Sequence, residues 1–122
     1  MARNVLGVVI GLVVWLAVTS IAGVVLRAAW PAYALVANAM TFTLPMMMAR
    51  LSIGAVATVL MGFATAAIAP AAIARWIPGL LMLLFFIPIH VTIWEKFPVW
   101  YHLTFLLSLV PLTYAGNRAR SG

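Results

Sequence analysis

The sequence predicts an all-α integral membrane protein, a four-transmembrane-helix bundle with a short external interfacial segment. Three observations carry that prediction. The 122-residue chain is 67% hydrophobic and 7% charged, with a mean hydropathy of +1.22, so it has too little polar surface to cover a water-soluble globule. Apolar runs near the length of about 20 residues that a bilayer crossing needs recur four times. Proline, tryptophan and basic residues stand at the ends of those runs, where the interface with water is expected.

The first span runs from about Val5 to Leu26. Its start, "MARNVLGVVIG", is basic like a secretory signal, but the apolar run is too long for a signal core and no clear small-x-small cleavage site follows before Arg27. It is read as a retained span. "AAWPAY" then supplies an interfacial stop at Trp30, Pro31 and Tyr33. The piece from Pro31 to Leu44 is too short and too polar, with Asn38, Thr41 and Thr43, to cross. It is expected to lie at the external surface as one or two helical turns.

Pro45 suits the first turn of a helix, and the second span covers about 46–69, with Arg50 in its first two turns. The third covers about 76–95, starting near Trp76 and Pro78, and Pro88 is expected to bend it by removing a backbone hydrogen bond. The fourth covers about 98–116, with Pro111 as a second kink, and "NRARSG" reads as a free polar tail. The whole of 1–122 forms a single membrane domain, with no linker or convincing internal repeat.

Seven basic residues against one acidic residue give a formal charge of +6. The cations are scattered near the ends of apolar runs, which fits anionic lipid headgroups and topology signals; nucleic acid would call for a clustered face, and none is expected as a partner. The positive-inside rule places Arg3, Arg75, Arg118 and Arg120 in the cytoplasm and leaves Arg27, Arg50 and Lys96 outside. Both termini are therefore expected on the cytoplasmic side of a bacterial inner membrane.

Small residues mark two packing faces. Gly7, Gly11, Trp15, Thr19 and Gly23 recur every fourth residue in the first span, and Gly54, Thr58, Gly62 and Ala66 in the second. In lipid such stripes let helix backbones approach. They serve either a bundle within one chain or a seam between copies.

"IPIHVTIWEKFPVWYHL" gathers the chain's lone carboxylate, Glu95, with Lys96, His90 and His102 around the second external turn. Arg50 lies about 7 Å down its helix at 1.5 Å per residue, so it must snorkel or find an acceptor. Glu95 is the anionic side chain on offer, and Arg50 with Glu95 is the candidate ion pair, with Arg27 as a competing partner. His90 and His102 fall at similar depth on neighbouring helices and form a candidate ligand site. Two imidazoles without HxxxH make an incomplete ligand set, and no metal or cofactor is assigned. Met46, Met47 and Met48 point in three directions on a helix and are read as adaptable packing.

There is no cysteine, which removes thiolate chemistry. No second acid accompanies Glu95, and there is no nucleophile triad and no phosphate-cradling glycine loop, so no enzymatic activity is expected. In length and span count the chain resembles the small multidrug resistance transporters. The resemblance extends to no motif: their activity depends on a carboxylate in the middle of the first span, and this first span has none. The reading placed first is an accessory or scaffolding subunit of a larger membrane complex. The alternative is a small oligomeric transporter or channel for an anion or a lipid-like substrate. Membrane lipids, together with a protein partner or further copies of the chain, are the expected partners.

Overall fold

The computed structural model describes residues 2–121. They form α1 (Ala2–Ala29), α2 (Pro31–Val36), α3 (Leu44–Ile68), α4 (Ala72–Thr92), a 3-10 turn (Trp94–Lys96) and α5 (Val99–Ser121), with no strand among the described residues. Three helices, α1, α3 and α4, are long and apolar enough to cross a membrane. This departs from the four spans expected. The fourth segment is a helix of 23 residues, but Tyr101, His102, Thr104, Ser108, Thr113, Tyr114 and Asn117 dilute its apolar character. Several of these face inward: Tyr101, His102, Thr113 and Asn117 are buried.

Tertiary contacts extend two of the predicted helices, α4 at its start and α5 at its end. α4 begins at Ala72, well before Trp76, so Pro78 lies inside the helix and not in its first turn. Asn4 of α1 explains the early start, since its Oδ1 accepts the Ala71 N–H at 3.0 Å and satisfies a donor that the helix start would strand. The expected free tail is also corrected, although its last residue, Gly122, lies outside the described residues. α5 continues through Ser121, and Asn117 Nδ2 donates to the Arg75 carbonyl at 3.1 Å. α4 runs unbroken through Pro88 to Thr92. Phe97 is extended (φ −133°, ψ 154°), as the residue before Pro98 must be.

The segment between α1 and α3 is the single short helix α2 followed by a turn in which Met40 adopts φ 58°. α1 and α4 run opposite to α3 and α5. The start of α1, the end of α3, the start of α4 and the end of α5 therefore share one end of the bundle, with Arg3, Arg75, Arg118 and Arg120. The other end holds Arg27, Arg50, Glu95 and Lys96.

α3 is the central helix. On α1 the faces of Gly7 and Gly11 meet Ala69, Thr65 and Met61 of α3, and Thr65 Oγ1 donates to the Gly7 carbonyl at 3.1 Å. Higher up, Trp15 Nε1 donates to Thr58 Oγ1 at 3.1 Å, and Thr58 Oγ1 donates to the Gly54 carbonyl at 2.7 Å. On the α5 side Gly62 abuts the Thr113 backbone and Gly116 abuts the Val59 backbone. Trp15, Ala57, Met61, Met82 and Leu109 fill the space between. In hydrocarbon this close fit matters more than apolar burial, because lipid tails are as apolar as leucine.

Gly23 departs from the expectation for its stripe: a Cβ there would meet nothing within 4 Å, whereas one on Gly11 would overlap Thr65 Oγ1. Gly23→Ala is therefore expected to leave thermal unfolding in detergent unchanged or to stabilise by up to about 1 kcal/mol through helix propensity. Gly11→Ala is expected to destabilise. Equal effects of the two substitutions would contradict the α1 register described here.

Candidate functional site

At the loop end of the bundle the four long helices splay around a cavity of about 230 Å³. Its walls come from every segment: Trp15, Thr19 and Gly23 of α1, Tyr33 of α2, Arg50 and Gly54 of α3, Phe86 and His90 of α4, and Tyr101 and Phe105 of α5. The open space beside Gly23 is part of this cavity, which is why that glycine touches no helix. The remaining wall is apolar, made by Leu26, Met40, Ile53, Ile89 and Ile93.

Arg50 is its charged group. The register of α3 turns the side chain toward α2 and α5, where Nη1 donates to Tyr33 Oη at 2.8 Å and Nε to Tyr101 Oη at 3.2 Å. The guanidinium carbon sits 4.5 Å from the centre of the Phe42 ring and 5.9 Å from that of Phe97. Tyr33, Phe42, Phe97 and Tyr101 form a continuous stack with centroid separations of 5.2, 5.8 and 4.2 Å. These rings offer quadrupole attraction and two hydroxyl acceptors, and neither supplies a negative charge.

The structure does not bring Arg50 and Glu95 together. Glu95 lies exposed on the 3-10 turn, and among the described residues it makes no hydrogen bond or ion pair. Three residues, Lys96, Phe97 and Pro98, separate it from the start of α5. Arg27 is likewise exposed at the end of α1.

His90 and His102 are brought together. Their Nδ1 atoms are 2.6 Å apart, and His102, fully buried, has its Nε2 3.0 Å from the Trp94 carbonyl. Trp94 stacks on the His102 ring at 4.5 Å, and Phe105 on the His90 ring at 5.0 Å. A carbonyl only accepts, so His102 Nε2 carries hydrogen and donates to it. Three of the four ring nitrogens are thus spent on the partner ring and the backbone, and among the described residues no group of three metal-ligating side chains exists.

Met46 is buried, Met47 half-buried and Met48 exposed, so the three point apart, while Met40 reaches the cavity. Sequence reasoning did not find Tyr33, Tyr101 or Phe42 as partners of Arg50. Tyr33 signalled only an interfacial stop, and its meeting with Tyr101 at Arg50 depends on how α2, α3 and α5 pack. No known family, curated protein or solved structure matches the chain. The site is therefore read from its own chemistry.

Proposed function

We propose that this chain is an integral membrane protein that binds an anion, or the anionic end of a lipid-like molecule, at Arg50, and acts as a small transporter or channel for it. One observation carries the proposal: a guanidinium, half-buried and without a carboxylate partner among the described residues, lines a cavity whose other walls are aromatic, hydroxylic and apolar. A buried cation lacking a counter-ion is costly, and an incoming phosphate or carboxylate provides that counter-ion with forked hydrogen bonding. An accessory role, the first expectation from the sequence, calls for packing faces alone and gives no reason for such a cavity.

In this reading α5 crosses the membrane beside α3 as a fourth span, because Tyr101, His102, Thr113 and Asn117 turn inward and the bundle shields them. We place the chain in a bacterial inner membrane, and the arginines at the end shared by the start of α1 and the end of α5 support cytoplasmic termini.

The test is Arg50→Gln. In proteoliposomes, flux of the anion that the wild-type protein passes is expected to fall to the protein-free background, while helical content and particle size stay as in wild type. Arg50→Lys, which keeps the charge and loses the fork, is expected to fall between. Unchanged flux in Arg50→Gln would end the proposal.

A further inference from the structure

The same cavity holds a second polar function of opposite sense. In the His90 and His102 pair three of the four ring nitrogens are committed. Among the described residues no carboxylate contacts either ring, and a buried ion without a partner is costly, so the pair is uncharged and its tautomers follow from the partners. His102 donates from Nε2 to the Trp94 carbonyl, so its Nδ1 bears a lone pair and accepts. His90 Nδ1 must then be the donor of the 2.6 Å bond, which leaves His90 Nε2 as a bare lone pair.

That atom has no protein partner. The sealed side-chain polar atom that lacks one among the described residues is Asn117 Oδ1, so His90 Nε2 is not sealed. His90 lines the cavity and is 5% exposed. Arg50 and His90 meet at a shared neighbour, since Tyr101 Oη accepts from Arg50 Nε at 3.2 Å while the Tyr101 ring stacks on His90 at 6.3 Å. One cavity thus presents a cationic donor on one wall and a neutral acceptor on another.

Resting on the anion-binding reading, we infer that the ligand carries a hydrogen-bond donor beside its anionic oxygens: the headgroup of a hydroxylated anionic phospholipid, its phosphate on Arg50 and a headgroup hydroxyl donating to His90 Nε2. A simple anion without a donor leaves the imidazole lone pair unmet, which a desolvated site penalises. The cavity's size agrees. About 230 Å³ is below the ~300–1,000 Å³ of sites that enclose a whole drug-sized ligand, so a headgroup enters and the tails stay outside. The apolar wall of Leu26, Ile53, Ile89 and Ile93 and the space beside Gly23 give the tails a path along α1 into the bilayer.

The experiment compares two lipids of equal charge and equal tails by native mass spectrometry of the full chain in detergent: phosphatidylglycerol, whose headgroup has two hydroxyls, and phosphatidylmethanol, whose headgroup has none. Wild-type protein is expected to retain phosphatidylglycerol about tenfold better, the ratio that one well-placed hydrogen bond supplies. His90→Phe is expected to bring that ratio to one while phosphatidylmethanol binding persists. Arg50→Gln is expected to remove both lipids. Equal retention of the two lipids by wild-type protein, lost in Arg50→Gln, overturns the hydroxyl inference and leaves anion binding standing. Retention of neither, or retention independent of Arg50, overturns the anion-binding reading itself. The wild-type comparison needs no variant, so a misfolded His90→Phe would not obscure the result. Water-soluble glycerol phosphate serves as competitor, and displacement of phosphatidylglycerol by it at equal concentration would overturn the lipid assignment in favour of a free phosphate ester.

Discussion

Gly62→Val is expected to drive α3 and α5 apart, so that the protein loses its compact fold in detergent. A Cβ on Gly62 would overlap the Thr113 carbonyl oxygen and lie 3.0 and 3.1 Å from the Thr113 carbonyl carbon and Cα. The obstacle is helix backbone, which cannot rotate aside as a side chain can. Inserting methyl groups into a well-packed interior costs about 1–3 kcal/mol even where neighbours adjust, and in lipid there is no hydrophobic gain to offset lost helix contact. Gly116→Val meets the same seam from the other side, where its Cβ would overlap the Val59 carbonyl oxygen and lie 2.8 Å from the Phe63 nitrogen. Because both substitutions open one interface, the double variant is expected to cost less than the sum of the singles. Tryptophan fluorescence during unfolding in mixed micelles of rising SDS content measures all three. A Gly62→Val protein as resistant as wild type would show that α3 and α5 do not meet in this register.

His102→Leu is the second large effect. The substitution keeps roughly the volume and removes both hydrogen bonds of a fully buried ring, so His90 Nδ1–H and the Trp94 carbonyl lose their partner. A buried donor left unpaired costs about 1–3 kcal/mol. The carbonyl sits at the turn after α4, where water reaches it more readily than it reaches the imidazole between α4 and α5. Removing the stranded donor as well should therefore recover stability: the double variant His90→Leu with His102→Leu is expected to be more stable than His102→Leu alone. The same SDS titration reads the cycle. Strictly additive losses would mean that the two imidazoles are not bonded to each other.

These expectations differ in how far the sequence foresaw them. The four-residue recurrence of Gly7, Gly11 and Trp15, and of Gly54, Thr58 and Gly62, identified residues that lie buried between helices, because helical periodicity maps spacing onto a face without knowledge of the neighbour. The same rule named Gly23, which faces open space, since periodicity says which face and not how far along it the partner stays close. Gly79 and Gly116 stand outside any stripe and nevertheless abut the Thr113 side chain and the Val59 backbone. Only the approach of α5 made them contacts.

At the site, Arg50 and the two histidines were legible because charged and imidazole side chains are rare and costly in an apolar chain. Their partners were not. Pairing Arg50 with Glu95 followed from charge alone, whereas the folded chain surrounds Arg50 with Tyr33, Tyr101, Phe42 and Phe97. Sequence arguments rank acceptors by charge; the tertiary structure ranks them by reach, and Glu95 is held out on its turn.

By itself the amino-acid sequence determined an all-helical chain with helices of membrane-crossing length, the approximate place of each, and the titratable residues at the loop end. Those properties are summed along the chain, residue by residue, through hydropathy and backbone preference. The tertiary structure alone decided that α5 turns Tyr101, His102, Thr113 and Asn117 inward, that Tyr33 of α2 meets Arg50, and that the imidazoles of His90 and His102 meet each other. Each of these depends on the rotation and register of one helix against another, and those are set by contacts between residues distant in sequence.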